Sequence, residues 1–288
     1  MKRLLKLELK KAFCSRWFIA ALLIGIVLAV ICACITAADF YGEGGMADLV
    51  KEAIHNNETL MAGLESSSIY NNWLGGTYNT STVVFFYLVP LIAVLPCGWN
   101  CSEEINEGYM KVIVPRVGRR KYFSAKLIAS FTSGGAAVAL PLLFSLVITA
   151  AIIPTIAIQP YNEMYYGVSH GDMLSSMAYS HPLLYALVYI GIDFLIAGCF
   201  ACLPVVVSLY SEKRVAALIV PYIAVILCDA ARNLLSYISY IEISPLNIMH
   251  VSMHGNAVKS YILIAWLAIY AAVALVFGLR KGEKREIV

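Results

Sequence analysis

Charge is scarce in this 288-residue chain: Asp, Glu, Lys and Arg together make up 14% of it, against about a quarter of an ordinary soluble domain. With 60% of its residues apolar and a mean hydropathy of +0.77, it has too little polar surface to cover a globule in water. A second absence concerns energy. The dipeptide Gly-Lys never occurs, so the chain has no G-x-x-x-x-G-K-[ST] phosphate loop, and ATP, if used, is bound by another polypeptide. Internal repeats and low-complexity linkers are also missing, which leaves one integral membrane domain over residues 1–288.

What is present in quantity is long apolar runs. A helix needs about 20 apolar residues to cross about 30 Å of hydrocarbon, and six stretches qualify, near residues 17–38, 82–100, 127–153, 183–210, 215–238 and 260–279. The expected fold is therefore all-α, with six transmembrane helices and both termini on one side. The side follows from the basic residues, since Lys and Arg near span ends stay in the cytoplasm. Of the 21, 18 fall in four segments: the N-terminus, the loop after the second span, the hairpin after the fourth and the tail. Acids dominate the intervening outside loops. This charge distribution accounts for the basic residues by topology, and no nucleic-acid partner is expected.

The first apolar run is long for a signal peptide and lacks an A-x-A cleavage site, so it reads as a retained helix. Before it, residues 1–16 mix Leu and Phe with Lys, as expected of an amphipathic elbow helix on the anionic inner leaflet. The external loop 39–81 shows helical apolar spacing over 46–64. Tyr70, Trp73 and Tyr78 then stand where an interfacial aromatic belt belongs.

Catalytic and metal motifs are weak. Gly167, Ser169 and Gly171 spell G-x-S-x-G, with His170, Asp172 and His181 nearby, but that motif acts at a strand-to-helix turn in an α/β sheet, which a short loop between spans cannot supply. Glu103 and Glu104 open an EExxxR signature of intramembrane proteases, yet Gly108 stands where its Arg should be. His250 and His254 share one face of any helix there, but a third zinc ligand is not evident. All eight cysteines lie in spans or at their cytoplasmic ends, so no structural disulfide is expected. Cys199 and Cys202 read as small packing residues. No catalytic residue and no metal ligand is assigned.

The cytoplasmic segment EEINEGYMKVIVPRVGRRKYFSAK, residues 103–126, has an acidic helix start, then Gly, Pro and Arg leading into the third span. This pattern, with the basic elbow, six spans and the short hairpin after span four, resembles permeases of the ABC exporter family of the second type. The resemblance implies a half-transporter that is not itself an enzyme. Two copies would form the pathway, and separate ATPase subunits, carrying ATP and Mg, would dock on the coupling loop 103–124 through Glu103, Glu104, Glu107, Gly108, Arg116, Arg119 and Arg120. It also implies plasma-membrane localisation and, for small permeases of this kind, export of amphipathic peptides such as antimicrobial peptides or peptide toxins. Lipid-linked sugar or polysaccharide, drug or sodium export are rivals. A non-transporting scaffold or an intramembrane protease is a different class of reading.

Charged groups inside lipid cost about 3 kcal/mol each on insertion scales. Asp193, Asp229 and Arg232 are such groups. Asp229 and Arg232, at i and i+3, are expected to neutralise each other, with Asp193 at a depth where it can join them, either as a structural network or as a substrate contact. Pro90, Pro96, Pro141, Pro204 and Pro221 invite kinks.

Overall fold

The computed structural model describes residues 2–42, 45–56, 68–98, 100–155, 168–211, 213–239, 241–251 and 256–280. In chain order the helices are α1 (Lys2–Phe13), α2 (Arg16–Tyr41), α3 (Met46–His55), α4 (Ile69–Asn72), α5 (Thr80–Val94), α6 (Asn100–Asn106), α7 (Tyr109–Val117), α8 (Arg119–Ile152), α9 (Ser175–Ser180), α10 (Pro182–Val207), α11 (Arg214–Ser239), α12 (Pro245–Ile248) and α13 (Ser260–Val273). A π-helical stretch, Ala274–Arg280, continues α13. Among the described residues the only strand-like pairing is an isolated bridge between Ile241 and Ala257.

Five helices are long and apolar enough to cross a membrane: α2, α8, α10, and the segments Val215–Arg232 and Ser260–Phe277. The chain is an α-helical membrane protein with several spans. The expected second span differs from expectation in length: α5 has 15 residues, about 22 Å at 1.5 Å per residue, where residues 82–100 were expected to cross. It stops because Pro96 has no N–H to donate and the chain turns, the Gly98 N–H closing onto the Val94 carbonyl at 2.7 Å. The third expected span differs the other way. Its helix begins at Arg119 rather than 127, because nothing in the basic run breaks a helix once Gly118, at φ +89°, has reset the backbone.

α10 is the central helix, packed against α8, α5, α11 and α13. Small residues let it approach α8 closely: a Cβ on Gly134 would lie 2.2 Å from the Ala201 Cβ and 2.6 Å from the Ala93 carbonyl oxygen. Such close packing holds helices together in lipid, where no hydrophobic force drives them. α11, α13 and the outer stripe of α2 (Ile19, Leu23, Val27) leave large apolar side chains exposed, as lipid-facing helices do. Helix starts are capped locally: Ser15 accepts from the Phe18 N–H at 3.0 Å, and Asn79 from the Thr82 N–H at 3.0 Å.

Trp73 is corrected from interfacial belt to core. It is fully buried, its indole lying over Gly75 and Gly76, where a Cβ would strike the ring at 2.4 and 2.7 Å, and its Nε1 donating to the Tyr70 carbonyl at 3.1 Å. The 68–79 segment thereby plugs one end of the bundle. Its backbone is held by the Thr36 hydroxyl on the Asn72 carbonyl (3.1 Å) and by the Leu74 N–H on the Ser145 Oγ (2.9 Å). The helix expected over 46–64 is seen as α3; residues 57–67 lie outside the described residues.

Candidate functional site

The segment expected to be the coupling loop is two short helices, α6 and α7, joined at Gly108, whose φ of +73° is left-handed and suits glycine. Both are tied to the rest of the chain by a buried ionic network. Lys126, one turn beyond Tyr122 on α8, is 4% exposed. Its Nζ lies 3.1 Å from Glu8 Oε2 on α1 and 2.8 Å from Glu104 Oε2 on α6. Lys11, one turn beyond Glu8, donates to Glu104 Oε1 at 3.1 Å and lies 4.4 Å from the centre of the Tyr109 ring. The Tyr122 hydroxyl also donates to Glu104. Two carboxylates and two ammonium groups therefore balance in one cluster, buried at Glu8, Glu104 and Lys126 and open to solvent at Lys11, which joins α1, α6 and the start of α8.

Burial pushes the Glu104 carboxyl up, but the charges of Lys126 and Lys11 and the hydrogen bonds from Lys126 and Tyr122 outweigh it, leaving its pKa below the ordinary carboxylate value. For Lys11, burial pulls down and Glu104 and Glu8 pull up, with a net rise. Both shifts favour the charged forms, as expected where opposite charges sit within hydrogen-bond distance.

The sequence-derived residues separate around this cluster. Glu104 faces inward and is buried, whereas Glu107, Arg116 and Arg120 are exposed and Glu103, Gly108 and Arg119 are partly so. Lys11, Glu103, Glu107 and Tyr109 border an open groove between α1 and the α6–α7 pair. Glu8, Lys11, Tyr122 and Lys126 were not singled out from sequence. The available signal was Glu8 itself, the only acid among the first 38 residues, placed i and i+3 from Lys11.

At the opposite end of the bundle the described residues do not form the expected network of Asp193, Asp229 and Arg232. Arg232 pairs with Glu242 at 3.7 Å, while Asp229 accepts from the Ser244 hydroxyl at 2.5 Å and the Tyr87 hydroxyl at 3.4 Å. Glu242, fully buried, also accepts from the Ser244 N–H (3.0 Å) and Asn247 Nδ2 (2.6 Å). The chain turning back between α11 and α12 brings an acid that sequence spacing could not place beside Arg232. Asp193 does not join them. It is fully buried in the middle of α10, and neither carboxyl oxygen has a hydrogen-bond partner among the described residues. Asp229 and Arg232, with Tyr78, Phe86, Tyr87 and His250, border a cleft of about 140 Å³.

The other motifs have local roles. Asp172 accepts from the Ser169 and Val258 N–H groups, each at 2.9 Å, and so staples a turn to the segment before α13. Gly167 lies outside the described residues, as does His254. His250 packs against Phe86, with ring centres 3.8 Å apart. All eight cysteines are free, and no group of three metal-ligating side chains occurs among the described residues.

No curated protein matches the chain. A family model does, over residues 46–288, the greater part of the sequence, and its description is "Protein of unknown function (DUF2705)". By that match the chain belongs to the DUF2705 family.

Proposed function

We propose that this chain is the transmembrane permease subunit of an ATP-driven exporter in the plasma membrane, similar to permeases of the ABC exporter family of the second type. In this reading it crosses the membrane six times, α5 serving as a short second span, with α1, α6, α7 and both termini in the cytoplasm. A second copy completes the pathway, and a separate subunit holds ATP and Mg. The cargo is a hydrophobic or amphipathic peptide, such as an antimicrobial peptide or peptide toxin.

The observation that carries this reading is the brace between α6–α7 and the bundle. A coupling element must be exposed enough to be gripped and tied firmly enough to pass force on. Glu103, Glu107, Gly108, Arg116, Arg119 and Arg120 supply the docking surface. Glu104, held by Lys126 and Lys11, acts as a positioning residue that links this surface to α1 and the 34-residue α8. A load on α7 then moves a whole membrane-length helix rather than bending a loop.

The test is photocrosslinking in native membranes, with p-benzoylphenylalanine replacing Arg116 or, at the opposite end, Tyr78. An ATP-binding polypeptide captured from position 116 and not from 78 is expected. Its capture from neither position, or equally from both, would overturn the docking assignment.

A further inference from the structure

The cleft beneath Tyr78 and Tyr87 has a charge balance that selects its occupant. Asp229 and Arg232 border it with His250, and Glu242 lies fully buried behind Arg232. Arg232 and Glu242 answer each other at 3.7 Å, and Glu242 is sealed further by Ser244 and Asn247. Among the described residues Asp229 has no ion-pair partner, Arg232 being turned to Glu242. Its Oδ1 is held by the Ser244 hydroxyl at 2.5 Å, and its Oδ2 receives only the long 3.4 Å contact from Tyr87. The formal sum of Asp229, Arg232 and Glu242 is one negative charge.

The walls add to that preference. Tyr78 and Tyr87, both exposed, border the same space as Asp229, and aromatic faces attract organic cations through their quadrupoles; Phe86, buried under the His250 ring, forms the floor. The volume of about 140 Å³ accommodates a headgroup and a few waters rather than a sugar chain. The two helices that wall the cleft, α5 and α11, also expose Val84 and Leu227, against which an apolar tail can lie.

We infer that this cleft binds the ammonium group of a cationic amphiphile, with Asp229 as its counter-ion and Tyr78 and Tyr87 as its aromatic walls. Two sources share this chemistry: a Lys side chain or α-amino group of an amphipathic peptide, and the headgroup of an aminophospholipid. Identification of the ligand as exported cargo rests on the permease reading above; the binding itself does not.

The test uses the full chain in neutral maltoside micelles without any ATPase, with dodecylammonium as the probe and dodecyl sulfate as its anionic counterpart, followed by intrinsic tryptophan fluorescence. Asp229→Asn is expected to weaken dodecylammonium binding about tenfold or more, equivalent to about 1.4 kcal/mol, while Asp229→Glu stays close to wild type and guards against misfolding as the cause. Wild type is expected to prefer the ammonium over the sulfate. Competition by a Lys/Leu amphipathic peptide alone identifies a peptide-type ligand, and competition by phosphatidylethanolamine a lipid; each supports the site. Equal affinity of wild type and Asp229→Asn, or equal binding of the two detergents, would overturn it. Because no ATPase is present, failure of the exporter proposal leaves this result standing, and the reverse also holds.

Discussion

Replacing Lys126 with Met tests the brace at its centre. Lys126 is 4% exposed and lies within 3.1 Å of two carboxylates on two other helices. Removing one partner from a buried pair leaves an uncompensated charge, a loss of about 3–5 kcal/mol. Here two acids are left with only Lys11, whose side chain is 43% exposed and whose ion pairs are weakened by solvent, worth about 1 kcal/mol or less. Lys11→Met should therefore cost about 1 kcal/mol, and Lys126→Met several times that. The triple variant Glu8→Leu, Glu104→Met, Lys126→Met removes the buried stranded charges and should recover at least half of the loss, leaving the Tyr122 hydroxyl without an acceptor and the Lys11 ammonium, 43% exposed, to be solvated by water. Unfolding by sodium dodecyl sulfate titration in mixed micelles, followed by tryptophan fluorescence, gives the three free energies. Trypsin cleavage at Lys6 and Lys10 reports whether α1 has come loose. Equal costs for Lys126→Met and Lys11→Met, or no recovery in the triple variant, would refute the view that a buried ion cluster fastens α1 and α6 to α8.

Other perturbations separate the remaining claims. The cluster should hold over a wide pH range. Glu104, its pKa lowered below 4.5, contributes stability present above that ordinary value and lost as pH falls through the lowered one. Lys11, raised above 10.5, contributes stability present below that value and lost as pH rises through the raised one; a midpoint of α1 release near neutral pH in the trypsin assay would contradict this. Gly108→Ala has open space for its methyl group but a left-handed backbone, so it should cost about 1–2 kcal/mol, measured in the same titration, and no loss would mean that the α6–α7 joint tolerates another geometry. Gly134→Val meets Ala201 and the Ala93 carbonyl directly and should cost about 1–3 kcal/mol or more; a neutral result would argue against the tight α8–α10 contact. Asp193→Leu removes a buried carboxyl with no partner among the described residues and should raise stability by about 1–3 kcal/mol, whereas a loss would show that Asp193 has a structural partner.

The sequence made the spans legible because a membrane helix is written locally, as apolar run length. Five of the six runs became long helices, and the shortfall in α5 traces to Pro96 and Gly98, residues visible in the sequence but read as part of the run. The division of 100–117 into two helices was less legible: its acidic helix start was read, but the turns that separate α6 from α7 and α7 from α8 depend on Gly108 and Gly118. Long-range pairings were not legible at all. Lys126 and Glu8 are 118 residues apart, and Glu242 reaches Arg232 only because the chain folds back between α11 and α12. Trp73 was placed at the interface on composition, whereas two following glycines make the flat bed that buries it.

The claim at the centre of this account is that α6 and α7 couple the chain to a separate ATPase, and native purification tests it most directly. The chain, tagged and expressed at its natural level, would be isolated in mild detergent, its companions identified and its ATP hydrolysis measured with and without a cationic amphipathic peptide. An ATP-binding subunit is expected in one-to-one ratio, with hydrolysis stimulated by peptide in the wild type and the ratio lost when Glu107, Arg116 and Arg120 are replaced together by Ala. A chain that purifies without any ATP-binding companion and hydrolyses no ATP would contradict it.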